Sequence, residues 1–231
     1  MKDATPLAPA ADPVSGTVWT RPDRGARGPQ PEHSRVEIAG AGVVLADSGG
    51  LPAVSMRAVA GELGTTAGAL YRYVTSRDEL LDLMVDAVLG ELELDRDPTP
   101  NWLDDLVLLA KAQLALYRRH HWLLEASLRT AIGPNGTNYF EQCLHFMAPL
   151  DCSTATKLEA TAMITGVVSL FARAAAQPPA RTPAHPFASA SPDAHPYLTA
   201  ALARPGTARH QEDLFDRTIR SILLGLLTER D

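Results

Sequence analysis

At 231 residues, with 45% hydrophobic content, the chain has room for one medium domain, or for a small domain fused to a larger one around a sizeable core. Two cysteines, Cys143 and Cys152, make no disulfide framework, and charged residues interrupt each apolar run before the roughly 18 residues a membrane span needs. The net charge of −6 excludes a uniformly basic nucleic-acid binder, yet residues 1–77 carry eight Lys/Arg against seven Asp/Glu while residues 78–231 carry thirteen against twenty, so local DNA binding stays open to the front of the chain.

Residues 1–33 read as a disordered arm. Pro6, Pro9, Pro13, Pro22, Pro29 and Pro31 break any helix, and large apolar residues are scarce. The arm lacks the apolar stretch of a signal peptide, which points to the cytoplasm. Its Arg21, Arg24 and Arg27 suit either a solvated tail or a basic arm that tracks along DNA.

Order is expected from Ser34. Ser34 and Glu37 fit a capping box, with Ile38, Ala41, Gly42 and Leu45 coming after it at helical spacing. Gly49-Gly50 should end that helix and Pro52 prevent its resumption. Ser55 can cap a second helix, Met56 to Glu62, with Val59 and Leu63 inward. A tight turn at Leu63-Gly64-Thr65 needs a positive φ at the glycine, and Thr66 can cap a third helix to about Tyr73. Ser76 and Glu79 form another capping box, opening a fourth helix with Leu80, Met84, Ala87 and Val88 on one face. Further on, the spacing predicts helices from Trp102 to about His120, through Leu128, from a Gly133–Gly136 turn to about Leu150, over Thr154–Ala176, over Pro196–Ala203 and over His210–Thr228. Thr154–Ala176 is apolar on most sides and should be buried on two faces, and 177–195 reads as a Pro/Ala/Ser loop. The fold expected is all-α, with a three-helix helix-turn-helix domain at 34–77 and a larger helical ligand-binding and dimerisation domain at 78–231.

Three strings carry more than periodicity: Val54-Ser55-Met56-Arg57-Ala58-Val59-Ala60-Gly61-Glu62-Leu63-Gly64, Ala69-Leu70-Tyr71-Arg72-Tyr73-Val74, and Ser76-Arg77-Asp78-Glu79-Leu80-Leu81. In them the chain resembles the tetracycline-repressor (TetR) family of bacterial regulators. Leu116–Trp122, Gly133–Gly136 and His195–Leu198 are similar to the body of an actinobacterial-style branch. The resemblance implies DNA contacts from Arg57, Thr66, Tyr71, Tyr73 and Arg77; Ala67, Gly68 and Arg72 complete the candidate set. Chemistry agrees with those positions. A guanidinium at Arg57 can fork onto guanine or hold a phosphate, while the Thr66 hydroxyl and the phenols of Tyr71 and Tyr73 reach phosphates. The small Ala67-Gly68-Ala69 stretch lets a helix sit deep against thymine methyl groups but makes few hydrogen bonds. The plainer alternatives are an exposed helix arginine at Arg57 and a core tyrosine at Tyr71.

The resemblance also implies a two-fold homodimer built on Thr154–Ala176 and His210–Thr228, a palindromic double-stranded operator, and a small-molecule effector. Ala162, Ile164, Val167, Leu170 and Phe171, with Leu214, Ile219, Ile222, Leu223 and Leu226, supply the apolar content of those helices. Candidate pocket residues are Trp102, Tyr117, Trp122, Phe140, His145, Phe146, Met163 and Phe171, which together suit an apolar or aromatic ligand. No metal, cofactor or membrane is implied. Two other readings stay open. A helical-bundle enzyme would need paired Glu-x-x-His motifs, but no Glu has a His three residues later; His121/Glu125 and Glu141/His145 stand at i,i+4 and do not specify a metal site. A binding protein that kept the fold but lost DNA contact would fit the acidic balance.

Overall fold

The computed structural model describes residues 17–20, 32–127, 130–176, 187–203 and 211–228. Among these residues the regular secondary structure is α-helix, apart from a 3-10 turn at Leu51–Ala53. It divides into two compact units, Met1–Arg96 with Arg119–Gln142, and Asp97–Arg118 with Cys143–Asp231. The boundary expected after residue 77 marks the end of the motif; the first unit extends past it to Arg96, because the fourth helix packs on the first.

Helix α1 (Arg35–Gly49) opens with the full capping box: Glu37 N–H donates to Ser34 Oγ at 3.1 Å, and Ser34 N–H donates to Glu37 Oε2 at 2.7 Å. The Ser34 N–H, and with it the Ser34 hydroxyl, which donates to Glu37 Oε2 at 3.0 Å, lower the Glu37 carboxyl from its ordinary value. Gly50, at φ 69°, ends it. Helices α2 (Met56–Glu62) and α3 (Ala67–Leu70) are capped by Ser55 and Thr66. Helix α3 is shorter than expected, since Tyr71–Tyr73 continue as turns. Helix α4 (Arg77–Leu89) is capped by Ser76, whose Oγ accepts from Glu79 N–H, but the Glu79 carboxylate turns to Thr75 N–H at 2.6 Å, so the second box is only half formed. Its buried set, from Leu80 through Leu81, Leu83, Met84, Val85 and Val88, is wider than one face. A Cβ on Gly42 of α1 would lie 2.6 Å from Met84 Sδ, so glycine permits the close approach of α1 and α4.

Helix α6 (Leu123–Ala126) and the start of α7 (Pro134–Phe146) complete the first unit. Gly133–Gly136 was expected as a turn before α7. Instead Pro134 takes the first helical position, where its missing N–H costs nothing, and Thr137 N–H donates to Gly133 O at 2.8 Å. Part of the arm is ordered as well. Thr17–Thr20 form a turn whose Val18 is 1% exposed, and an added Cβ at Gly133 would meet Trp19 Cζ2 at 2.6 Å. The expectation of disorder therefore does not hold for this turn; the arginines after it lie outside the described residues.

The second unit holds α5 (Trp102–Arg119) up to Arg118, the end of α7, α8 (Thr154–Ala176), α9 (Pro196–Leu202) and α10 (Gln211–Thr228). Helix α8 buries one stripe (Ala160, Ile164, Val168, Ala172), and α10 answers with Phe215, Ile219, Leu223 and Leu227. The expected two-faced burial of α8 is not met within one chain: Leu158, Met163 and Leu170 stay exposed, as do Leu214 and Leu224 of α10. The two helices meet edge-to-face at Phe171 and Phe215, with ring centroids 5.1 Å apart. Helix α5 ties to α10 through Lys111–Asp216 (2.6 Å) and Asp104–Arg220. Helix α8 has a window of mean hydropathy 1.3, long and apolar enough by composition to cross a membrane, with 28% of it buried, although Lys157, Glu159 and Arg173 interrupt its apolar run as expected.

Candidate nucleic-acid interface

The helix-turn-helix is held from inside by Leu70 and Val74, both fully buried, and by Val59 and Ala60 of α2. Gly64, at φ 68°, reverses the chain, and Thr65 N–H returns to Ala60 O at 2.9 Å. The caps fix where each short helix begins: Ala58 N–H donates to Ser55 Oγ at 3.1 Å, and Ala69 N–H to Thr66 Oγ1 at 3.3 Å. Around that frame Arg57, Thr66, Gly68, Tyr71 and Arg72 are exposed or half-buried at the surface, as are Ala67 and Tyr73. Tyr71 is 52% exposed, which removes the core-tyrosine alternative. Arg72 Nε donates to Ala69 O at 3.4 Å, and the Tyr73 hydroxyl lies 3.5 Å from His33 N–H. The arrangement offers one guanidinium at the start of α2, a second after α3, and two phenols on a rigid, largely small-residue surface.

Arg77 is engaged within the protein. Its Nε donates to Val54 O at 3.1 Å and its Nη2 to Leu51 O at 2.9 Å, so the first residue of α4 clasps the segment joining α1 to α2. Sequence reasoning offered Arg77 only as a phosphate contact. No local signal announces acceptors 23 and 26 residues away.

The eight pocket candidates are distributed over both units. Trp122 and Phe140 belong to the first unit; Trp102, Tyr117, His145, Phe146, Met163 and Phe171 belong to the second. Tyr117, Trp122 and Phe146 are buried, Met163 is 54% exposed, and His145 is exposed. A cavity of about 430 Å³ in the first unit is lined by Ala46, Asp47, Gly50, Leu51, Pro52, Arg119, His121, Trp122 and Glu125, and it includes only Trp122 of the eight. His121 and Glu125, noted as a possible ligand pair, both line it. Among the described residues no group of three or more His, Cys, Asp or Glu is placed to hold a metal.

Two polar clusters in the first unit were not anticipated. Asp47 Oδ1, on α1, lies 2.8 Å from His120 Nδ1 and accepts from Trp122 Nε1 at 2.7 Å. The other ring nitrogen of His120 lies 3.2 Å from Glu91 Oε1, and Glu91 also pairs with Arg119. On α4, Asp86 is 7% exposed and accepts from Gly136 N–H at 3.0 Å and Asn135 Nδ2 at 3.2 Å. Burial pushes its carboxyl above the ordinary value against those hydrogen bonds, and burial likewise raises Asp82, which accepts from Ala131 N–H at 2.9 Å.

Comparison with known proteins matches this architecture. Residues 38–84 match the family described as bacterial regulatory proteins, tetR family, and residues 94–230 match the tetracyclin repressor-like C-terminal domain. The HTH-type transcriptional repressor DrrR1 of Streptomyces coeruleorubidus is 39% identical over 158 residues, which cover 68% of this chain and 58% of that protein. Among solved structures, apo ActR of Streptomyces coelicolor is similar with a TM-score of 0.72 and 26% identity, over 86% of this chain and 96% of ActR. ActR in complex with actinorhodin gives a TM-score of 0.71 and 27% identity, over 85% and 97% of the two chains. Helix-turn-helix, exposed basic and phenolic side chains, and matches along both halves converge on one family: the chain belongs to the tetracycline-repressor (TetR) family of bacterial regulatory proteins.

Proposed function

We propose that the protein is a cytoplasmic, ligand-responsive transcriptional regulator that binds a palindromic operator as a homodimer and is released from it by a small molecule. The observation that carries this reading is the capped α2–turn–α3 unit, which exposes Arg57, Tyr71 and Arg72 around a fully buried Leu70. Such a frame positions a guanidinium for a base edge or a phosphate and phenols for the flanking backbone. The exposed leucines of α8 and α10 supply an apolar face for a second copy. A four-helix interface there would also account for the apolar character of α8 without a membrane. A two-fold axis through it repeats the recognition surface and makes the operator a palindrome. ActR, similar along most of the chain, was solved with actinorhodin, which favours a small-molecule effector here too. Effector and operator would then weaken each other's binding by the same factor.

The test is selection from a random duplex library with the purified dimer, beside an Arg57→Ala, Tyr73→Phe variant. Enrichment of a palindrome by the parent alone is expected. A folded, ligand-free dimer that enriches nothing at low salt would overturn DNA binding and leave a ligand-binding protein that has kept the fold.

A further inference from the structure

None of the candidate DNA contacts lines the cavity of about 430 Å³ in the first unit. The last turn of α1 and the 3-10 turn after it form one wall, and the segment from the end of α5 into α6 forms the other. Three features give this surface negative potential. Asp47 presents a carboxylate whose Oδ1 accepts from Trp122 and faces His120, while its Oδ2 has no bond among the described residues. Glu125 is exposed, and among the described residues its carboxylate has neither hydrogen bond nor ion pair. The last turn of α1 contains no basic residue, so nothing on that helix offsets the partial negative charge of its carbonyl end, where Gly50 lines the cavity. Against these stands one guanidinium, Arg119, which is already paired with Glu91. Leu51, Pro52 and the Trp122 indole supply apolar walls, and His121 adds a ring able to bond a polar group.

We propose that this cavity is a ligand site within the helix-turn-helix unit itself, for an organic monocation: a protonated amine carried on a small aromatic or aliphatic body. The carboxylates of Asp47 and Glu125, with the carbonyl end of α1, attract the ammonium, and Leu51, Pro52 and Trp122 cover the body. The volume suits a small organic molecule. An anion fits poorly, because two carboxylates repel it and the one guanidinium is taken. A bare metal ion fits no better, since among the described residues no group of three or more His, Cys, Asp or Glu is placed to hold one. The inference stands apart from the DNA-binding reading and from the effector expected there. Its consequence follows from what the ligand touches. Leu51 O also accepts from Arg77 Nη2, and Leu51–Ala53 leads into α2, so the bound amine braces the turn from which the helix-turn-helix starts.

The experiment uses the full chain labelled with fluorotryptophan, and phenethylamine as the probe. The three tryptophans, Trp19, Trp102 and Trp122, report by fluorine NMR, and the Trp122 line is identified by its loss in Trp122→Phe. Phenethylamine is expected to move the Trp122 line with a dissociation constant of about 1 mM or below, as suits so small a molecule. Phenylacetate and phenylethanol share its body without the positive charge and should bind about tenfold more weakly or worse. Glu125→Gln, at an exposed residue, should leave the spectrum of the free protein unchanged and weaken the amine about threefold to fivefold, the range of an exposed charge pair. Asp47→Asn keeps an oxygen that accepts from Trp122 Nε1, removes the charge, and should weaken the amine by at least as much. Equal binding of amine, alcohol and acid would overturn the proposal. So would a response confined to Trp102 or Trp19, unaltered affinity in both variants, or no response to the amine at about 10 mM.

Discussion

Replacing Arg77 by lysine separates its two possible roles. The guanidinium bonds Val54 O and Leu51 O at 3.1 and 2.9 Å, a fork that a lysine ammonium does not reproduce. Hydrogen bonds from a charged donor contribute about 1.5–3 kcal/mol each. The bond to Val54 is only part-buried and that to Leu51 is exposed, so water recovers much of the loss and one bond survives in part. The net cost should be about 1–2 kcal/mol. With a urea slope of about 1–3 kcal/mol per molar, the midpoint should fall by roughly 0.5–1 M at unchanged slope. Operator affinity measured across salt gives the second readout. Losing a phosphate contact lowers the slope of log affinity against log salt by about one, whereas losing a clasp weakens binding and leaves that slope alone. Lysine also keeps the charge, so an electrostatic phosphate contact would persist in the variant. Unchanged stability in Arg77→Lys, with a salt slope reduced by about one in Arg77→Met, would refute the clasp.

Three further outcomes are expected from the packing. Because burial raises the Asp86 carboxyl above its ordinary 3.8, its stabilising contribution is complete below that value and is lost as pH rises through the raised one. Stability of the parent should therefore fall relative to Asp86→Asn as pH rises from acid to neutral, read by urea denaturation at a series of pH values; a flat difference would contradict it, and Glu37 and Asp82, common to both proteins, cancel. Leu170→Glu, at a residue 64% exposed on α8, should shift the protein to monomer in sedimentation velocity and leave the helical circular dichroism unchanged. Gly133→Ala drives a Cβ into Asp86 and Trp19 and should cost about 1–3 kcal/mol of stability, and a variant as stable as the parent would mean that Trp19 does not pack there.

What the sequence made legible was whatever is local. Ser34, Ser55, Thr66 and Ser76 each cap the helix assigned to them, and Gly50 and Gly64 take the positive φ that their turns require, because these interactions close within three or four residues. The misses share the opposite property. Val18 and Trp19 belong to a turn that the proline-rich arm conceals, Trp19 lies against a loop more than a hundred residues away, and His120 meets Asp47 across 73 positions. Arg77 was legible as a basic residue at a helix start and illegible as a clasp, since its acceptors are backbone oxygens that carry no sequence signature. The apolar surface of α8 was read correctly as composition. Its single buried stripe depends on which neighbours a lone chain supplies, and a period of 3.6 does not encode that. For the DNA surface, exposure of Arg57, Tyr71 and Arg72 agrees with the motif.

The first unit has one more property, which concerns the order of synthesis. Its helix-turn-helix is complete once residue 77 has been made, yet Asp47 finds its partners only at His120 and Trp122, and Asp86 only at Asn135 and Gly136. A ribosome adding about 5–20 residues per second therefore carries an unfinished head for several seconds. In that interval a nascent or prematurely terminated chain holds α1–α4 with two of their carboxylates unpartnered. A fragment ending at residue 96 is accordingly expected to exchange its α4 amide hydrogens far faster than the full chain does. Protection equal to that of the full chain would show that the head matures alone. Faster exchange would mean that broken translation products are weak competitors for the operator.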